Sequence, residues 1–242
     1  MTDPELIASD RAPGLFVAPG VVIPDDTRIA PHVTVYAGVE IGTGVSIEQG
    51  AILGRPQQID ELSRTPTYPP GAGTLIGDGA RIGSNSVVVA GARVGPGAYI
   101  GDLVSIREGD VIGDQAMMGR GVSAGHGIVV GARCRLLNFT LLGPGTVIEE
   151  DVVVSPRVTF IGEATMGRQD LDAPTGGILV RRASRIGTSA IIFPGVEIGA
   201  EAVVGAASMV REDVPERTVV TGAPARPLRR VRDDELLDAW RS

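Results

Sequence analysis

The sequence predicts an all-β solenoid, a prism of short parallel strands stacked in coils, and three observations carry that reading. Every sixth residue from Ile76 to Phe160 is apolar or small: Ile76, Ile82, Val88, Val94, Ile100, Ile106, Ile112, Met118, Ala124, Val130, Leu136, Leu142, Ile148, Val154 and Phe160. Glycine follows nine of these fifteen positions. A period of six fits neither the 3.6 of a helix nor the alternation of an isolated strand, so each strand and its corner make one repeat.

Taken in order, residues 1–16 form a lead-in and the repeat domain spans 17–220. The same period runs through Val17, Ile23, Ile29, Val35, Ile41, Ile47 and Leu53, and resumes as Val180, Ile186, Ile192, Ile198, Val204 and Val210. With three strands per turn, these 28 hexapeptides make about nine coils. Two residues before an apolar position stands a small or β-branched residue, as at Ala80, Ser86, Ala92, Thr140, Thr146 and Val152, which suits the tight space beside a corner. Cys134 occupies one such place and reads as a buried, inert thiol. Two insertions break the period, 54–75 and 161–179, and both must leave the prism as loops. Loops on a rigid solenoid are where ligand contacts gather. The tail, 221–242, ends in Asp233 to Trp240, a short amphipathic helix expected to cap the open end.

Composition narrows the function. Aromatics are only 3% of 242 residues, which suits a thin interior of aliphatic layers, and the repeat favours one domain. The net charge is −7, and no stretch joins clustered Lys or Arg to aromatics, so nucleic acid is not an expected partner. The acidic start, Met1 to Glu5, is unlike a signal peptide, and glycine interrupts every apolar run well short of membrane length. A single cysteine excludes an intrachain disulfide. A cytoplasmic protein with no membrane partner is the expectation.

The period resembles the hexapeptide-repeat acyltransferases, whose fold is a left-handed parallel β-helix. The most specific part is C-terminal: Val180 to Gly187, Ile192-Phe193-Pro194-Gly195-Val196-Glu197-Ile198-Gly199, Val204 to Val210, Val214-Pro215, and Gly222-Ala223-Pro224-Ala225-Arg226. This succession is similar to the family's acetyl-CoA-binding end. The segments Leu136-Leu137-Asn138, Val147 to Asp151 and Ser155 to Phe160 are similar to the branch that acylates the amino group of nucleotide-linked sugars. The chain departs from that branch at Gly143-Pro144 and at Ser184. The resemblance implies acetyl-CoA as acyl donor, no metal, a dTDP- or UDP-linked amino sugar as acceptor, and a homotrimer with sites in the clefts between subunits. O-acetylation of a sugar or small alcohol and a non-catalytic scaffold are the competing readings. Zinc carbonic anhydrases with this coil use three histidine ligands, and this chain has two histidines.

Acetyl transfer to an amine needs a polarised carbonyl, a neutral amine and a proton acceptor. His126 sits two residues after Ala124, the one weak place in the central apolar series, and Glu108 lies one coil of eighteen residues below it. Neighbouring strands are roughly 4.8 Å apart, so the pair can form a base and its orienting carboxylate. His32 has no such partner and reads as structural. By resemblance, Asn138 and Arg157 contact the acceptor; the insertion that holds Arg168 is expected to cover part of the bound substrate. Arg182, Arg211 and Arg226 stand where the family places phosphate-binding cations, while Ala206 and Ala207 allow pantetheine to approach the backbone.

Overall fold

The computed structural model describes residues 5–59, 65, 67, 68, 72–166, 168 and 176–241. Three parallel sheets form the faces of a prism, and the chain visits them in turn. Face A carries ten parallel rungs from Leu15–Val17 to Met209–Val210. Face B carries eight, from Val39–Ile41 to Glu197–Ile198, and face C runs from Arg28–Ile29 to Val203–Val204. Nine coils and the first rung of a tenth account for the 28 hexapeptides. The register advances by eighteen residues per coil, as in Ile100↔Met118 and Val130↔Ile148. The sixth-residue series is the core: Ile76, Ile82, Ile100, Leu136 and Phe160 are fully buried in one continuous cluster.

The glycines after the apolar residues are there for space. A Cβ on Gly83 would lie 2.4 Å from the carbonyl carbon of Gly101 in the next coil. The left-handed backbone of each corner falls instead two residues later, and non-glycine residues often bear it, among them Leu103, Phe139, Asp151 and Arg157. Cys134 is buried, and its thiol donates to the Glu149 carbonyl (2.9 Å) while burial pushes its pKa up to about 11. That is an inert thiol, as expected.

Both ends differ in detail from expectation. At the N-terminal end Ile7–Ser9 folds back antiparallel on Leu15–Val17, and the Arg11 guanidinium donates to the carbonyls of Ile23, Pro24 and Thr27. At the other end Thr218–Gly222 takes the place of a rung beside Val203–Val204 and turns back as a hairpin with Ala225–Arg230. The tail helix, Leu237–Arg241, buries no residue and leaves Trp240 exposed. It does not cap the core. It lies along the edge between faces B and C, where the Leu237 N–H meets Glu201 and Arg241 meets Asp151. Five residues give too little apolar surface to cover an open end, so ion pairs hold the helix instead.

Candidate functional site

The three edges of the prism sort the residues singled out above. Edge AB, between faces A and B, carries the turns Arg107–Asp110 and Gly125–Ile128, with His126 in the second. Both insertions leave from this same edge, one after the face A strand Ile52–Arg55 and the other after Thr159–Phe160. Edge CA carries Asn138, Arg157, Ala206 and Ala207. Edge BC carries Arg182. Arg211 sits on edge AB at the last rung, and Arg226 lies in the C-terminal hairpin, where it reaches Glu212 at 3.7 Å.

Glu108 stacks one coil below His126, in the register expected from the spacing. The Gly127 N–H donates to the Glu108 carbonyl at 3.0 Å. The buried Glu108 carboxylate is gripped by its neighbour Arg107, whose Nε and Nη2 donate at 2.9 and 3.1 Å. His126 is half-buried. Desolvation and then the Arg107 cation lower its pKa, against the opposing pull of Glu108. The imidazole is therefore neutral at physiological pH, the form that can accept a proton. A groove of about 410 Å³ opens on face A beside it, floored by Ser105, Ser123, Leu141 and Thr159 and reaching Gly125 and Pro144 on the edge.

The other candidates are more evenly tied into the coil. Asn138 Oδ1 accepts from the Arg120 N–H (3.1 Å), and the left-handed conformation belongs to its neighbour Phe139. Arg157 is exposed and left-handed, its N–H bonded to the Asn138 carbonyl at 2.9 Å. Arg168 is exposed, and its N–H donates to Thr165; residues 169–174 of the loop expected to cover substrate lie outside the described residues. Ala207 takes the left-handed corner position, with its N–H on the Thr188 carbonyl. Arg211 stacks over the Phe193 ring at 4.9 Å. Arg182 faces Glu150 and Asp238 at 3.6 and 3.5 Å on edge BC, so the coenzyme candidates are spread over all three edges.

Two neighbours of His126 escaped the sequence reading. Arg107 is one, because an arginine beside a glutamate is common on any surface. Asp110 is the other, and it could have been found: it is a carboxylate in a column otherwise filled by Thr74, Ala92, Ile128, Thr146, Ile178 and Val196.

Residues 73–108 match the family described as Bacterial transferase hexapeptide (six repeats). The matched stretch carries the same six-residue period that runs through most of the chain. Galactoside O-acetyltransferase of Escherichia coli strain K12 is 32% identical over 101 residues, covering 40% of this chain and 50% of that protein. Serine acetyltransferase 2 of Arabidopsis thaliana is 30% identical over 93 residues, 38% of this chain and 29% of that protein. The chain thus spans half or less of the length of these relatives. In structure it is similar to LpxA from Acinetobacter baumannii, with a TM-score of 0.56 over 85% of this chain and 72% of that one. At 17% identity that likeness concerns the coil alone. Among the described residues, no helix is long and apolar enough to cross a membrane.

Proposed function

We propose that this protein is an acetyl-CoA-dependent N-acetyltransferase whose acceptor is the amino group of a nucleotide-linked amino sugar. The observation that carries the acyl-transfer reading is the neutral, half-buried His126 on the edge from which both insertions leave, beside an open groove. The choice of an amino-sugar acceptor rests on the motif resemblance around Asn138 and Arg157. In the reaction the acceptor nitrogen forms a bond to the thioester carbonyl carbon, the carbon–sulfur bond breaks, and the proton lost by nitrogen ends on the thiolate. His126 accepts that proton and returns it. Glu108, held by Arg107, supplies the negative charge that favours the imidazolium in between. Arg211 and Arg226, which both reach the last rung, are the phosphate grips. Ala206 and Ala207 leave room for pantetheine.

Edges AB and CA flank face A, so His126 and Asn138 of one protomer lie on opposite sides of it. A cyclic trimer would bring edge AB of one subunit to edge CA of the next and complete the site. The exposed Leu103 and Phe139 on edge CA, with Leu141 next to them on face A, support such a contact. Sedimentation as a monomer at assay concentration would remove the shared cleft.

The likeness to galactoside O-acetyltransferase favours a second reading, transfer to a hydroxyl. One assay separates the two. Radiolabelled acetyl-CoA is offered with a panel of dTDP- and UDP-linked amino sugars and, in parallel, galactosides. An acetylated product that survives mild alkali is an amide and supports the proposal. An alkali-labile ester formed from galactosides overturns it in favour of the second reading.

A further inference from the structure

The hydrogen-bond ladder of face A is interrupted between the Glu108 coil and the His126 coil, as it is again where Leu141 pairs with Thr159 alone. One coil higher, strands Ser123–Ala124 and Leu141–Leu142 pair at both residues; here Ser105 pairs with Ser123 alone. Gly125 donates its N–H straight across to the Leu142 carbonyl at 2.8 Å, whereas the corresponding N–H, that of Arg107, turns to Asp110 Oδ2 at 2.8 Å. The turn that follows also differs from the one above it. Thr146 closes its own turn by donating to the Gly143 carbonyl (3.3 Å), but Ile128 donates to Asp110 Oδ1 at 2.8 Å. A single carboxyl, fully buried, therefore links two successive edge AB turns. The lower turn holds Arg107 and Glu108, and the upper one holds His126.

From this geometry we infer that Asp110 is the positioning residue for His126, fixing the Gly125–Ile128 turn to the turn beneath it through its two carboxyl oxygens. The inference deepens the reading of His126 as the base and rests on it for its catalytic meaning. The corner needs no carboxylate for folding, since threonine, alanine, isoleucine and valine fill the same column in other coils. A carboxylate in that place is costly, because burial outweighs the two N–H donors and pushes its pKa up to about 8. The charged and titratable groups around it are Glu108 and Arg107, which act on it in opposite senses, with His126 on the turn it holds. Asp110 is fully buried and acts through the backbone that carries the imidazole.

The test uses the chain's two histidines, His32 and His126. The imidazole Hε1 region has two signals, one per histidine, and His32→Gln assigns them. Both are titrated in the unsubstituted protein, in Asp110→Asn, which keeps one acceptor oxygen, and in Asp110→Thr, which places at 110 the residue found at 74 and 146 in the same column. Loss of the tie lets water reach His126, relieving the desolvation that lowers its pKa. Its midpoint should rise by about half a pH unit or more in Asp110→Thr and by less in Asp110→Asn. His32, on another edge, should not move. An unmoved His126 in the folded threonine variant, or an equal movement of both histidines, overturns the assignment. The readout needs no turnover, so it stands even where the acetylation assay returns no product. Where acetyl transfer is measured, kcat should fall about tenfold or more while the KM for acetyl-CoA stays constant.

Discussion

Edges AB and BC are built from the same hexapeptide and the same left-handed corner, yet they treat charge in opposite ways. On edge BC, charges are paired with one another. Arg133 donates to both oxygens of Asp151 at 2.8 and 2.9 Å, Arg241 of the tail joins them, and Arg181 bridges Glu149 and Glu197. The result is that Asp151 and Glu149 are both held below the usual carboxylate range. On edge AB Arg107 pairs with Glu108, while Asp110 is held by N–H groups and pushed up to about 8. His126 beside them is kept neutral. The lesson is that one edge uses charge to fasten the coil and the other holds buried titratable groups toward their neutral forms at the expense of stability, which is how reactive sites are generally set apart from scaffold.

The sharpest break of that comparison is His126→Ala. With the base gone, turnover should fall roughly 10²–10⁴-fold while CoA binding by calorimetry is unchanged. Glu108→Gln should cost less, and the double variant should be little worse than His126→Ala, since the two act as a unit. The pH profile follows the same logic: kcat/KM should fall on the acid side as His126 gains its proton, with a midpoint below the ordinary histidine value. An amine that binds already neutral can attack unaided. Near-normal turnover in His126→Ala would therefore leave acetyl transfer standing and make His126 a substrate contact.

Stability against pH sharpens the comparison from the other side, because the two edges carry opposite signs. Asp110 has a folded pKa raised from 3.8 to about 8. Its contribution is most favourable below about 4 and is progressively lost as pH rises toward 8, by an amount on the order of several kcal/mol. Asp151 has a depressed folded pKa, so its contribution is present above its unfolded value and is lost as pH falls through the folded one. Melting curves from pH 4 to 8 should thus decline less steeply in Asp110→Thr than in the unsubstituted protein. Asp151→Ala should cost about 1–3 kcal/mol near neutrality, a drop of several degrees, with turnover unaffected. A threonine variant with the same pH slope would show that the Asp110 carboxyl is not the group being titrated.

Much of the fold was legible in the sequence, because one physical requirement, a buried aliphatic side chain at each sixth position, fixes strand, face and register together. Phe160 and Ile76 could be placed in the core without coordinates. The glycine rule was legible in position but not in cause, since the clash of a Gly83 Cβ with the coil above exists only once coils are stacked. The site was less legible. Counting eighteen residues brings Glu108 under His126, and the same counting would have put both insertions on that edge. It could not reveal that Arg107 occupies the Glu108 carboxylate, because side-chain direction at a corner is not set by the period. The tail helix was misplaced for a related reason: amphipathic spacing in Asp233 to Trp240 says that one side is apolar, not what it lies against.

The smallest expected effect concerns the coenzyme cations, where resemblance and geometry part. Resemblance groups Arg182 with Arg211 and Arg226, but Arg182 stands on edge BC between Glu150 and Asp238, whereas Arg211 stands on edge AB over Phe193. Arg226 reaches Glu212, the residue next to Arg211. A cation already facing two carboxylates on the far edge has little charge left to offer a phosphate. Pairs as exposed as those of Arg182 contribute roughly 0–1 kcal/mol. A charge-assisted bond from Arg211 to phosphate is worth about 1.5–3 kcal/mol. Titration calorimetry with CoA should therefore show Arg211→Ala weakened about tenfold or more, with Arg182→Ala within about twofold of the unsubstituted protein. The reverse order would place the phosphates along edge BC, next to the tail helix. The edge used to fasten the coil would then be a binding edge as well, and the division between the two edges would fail at the C-terminal coils.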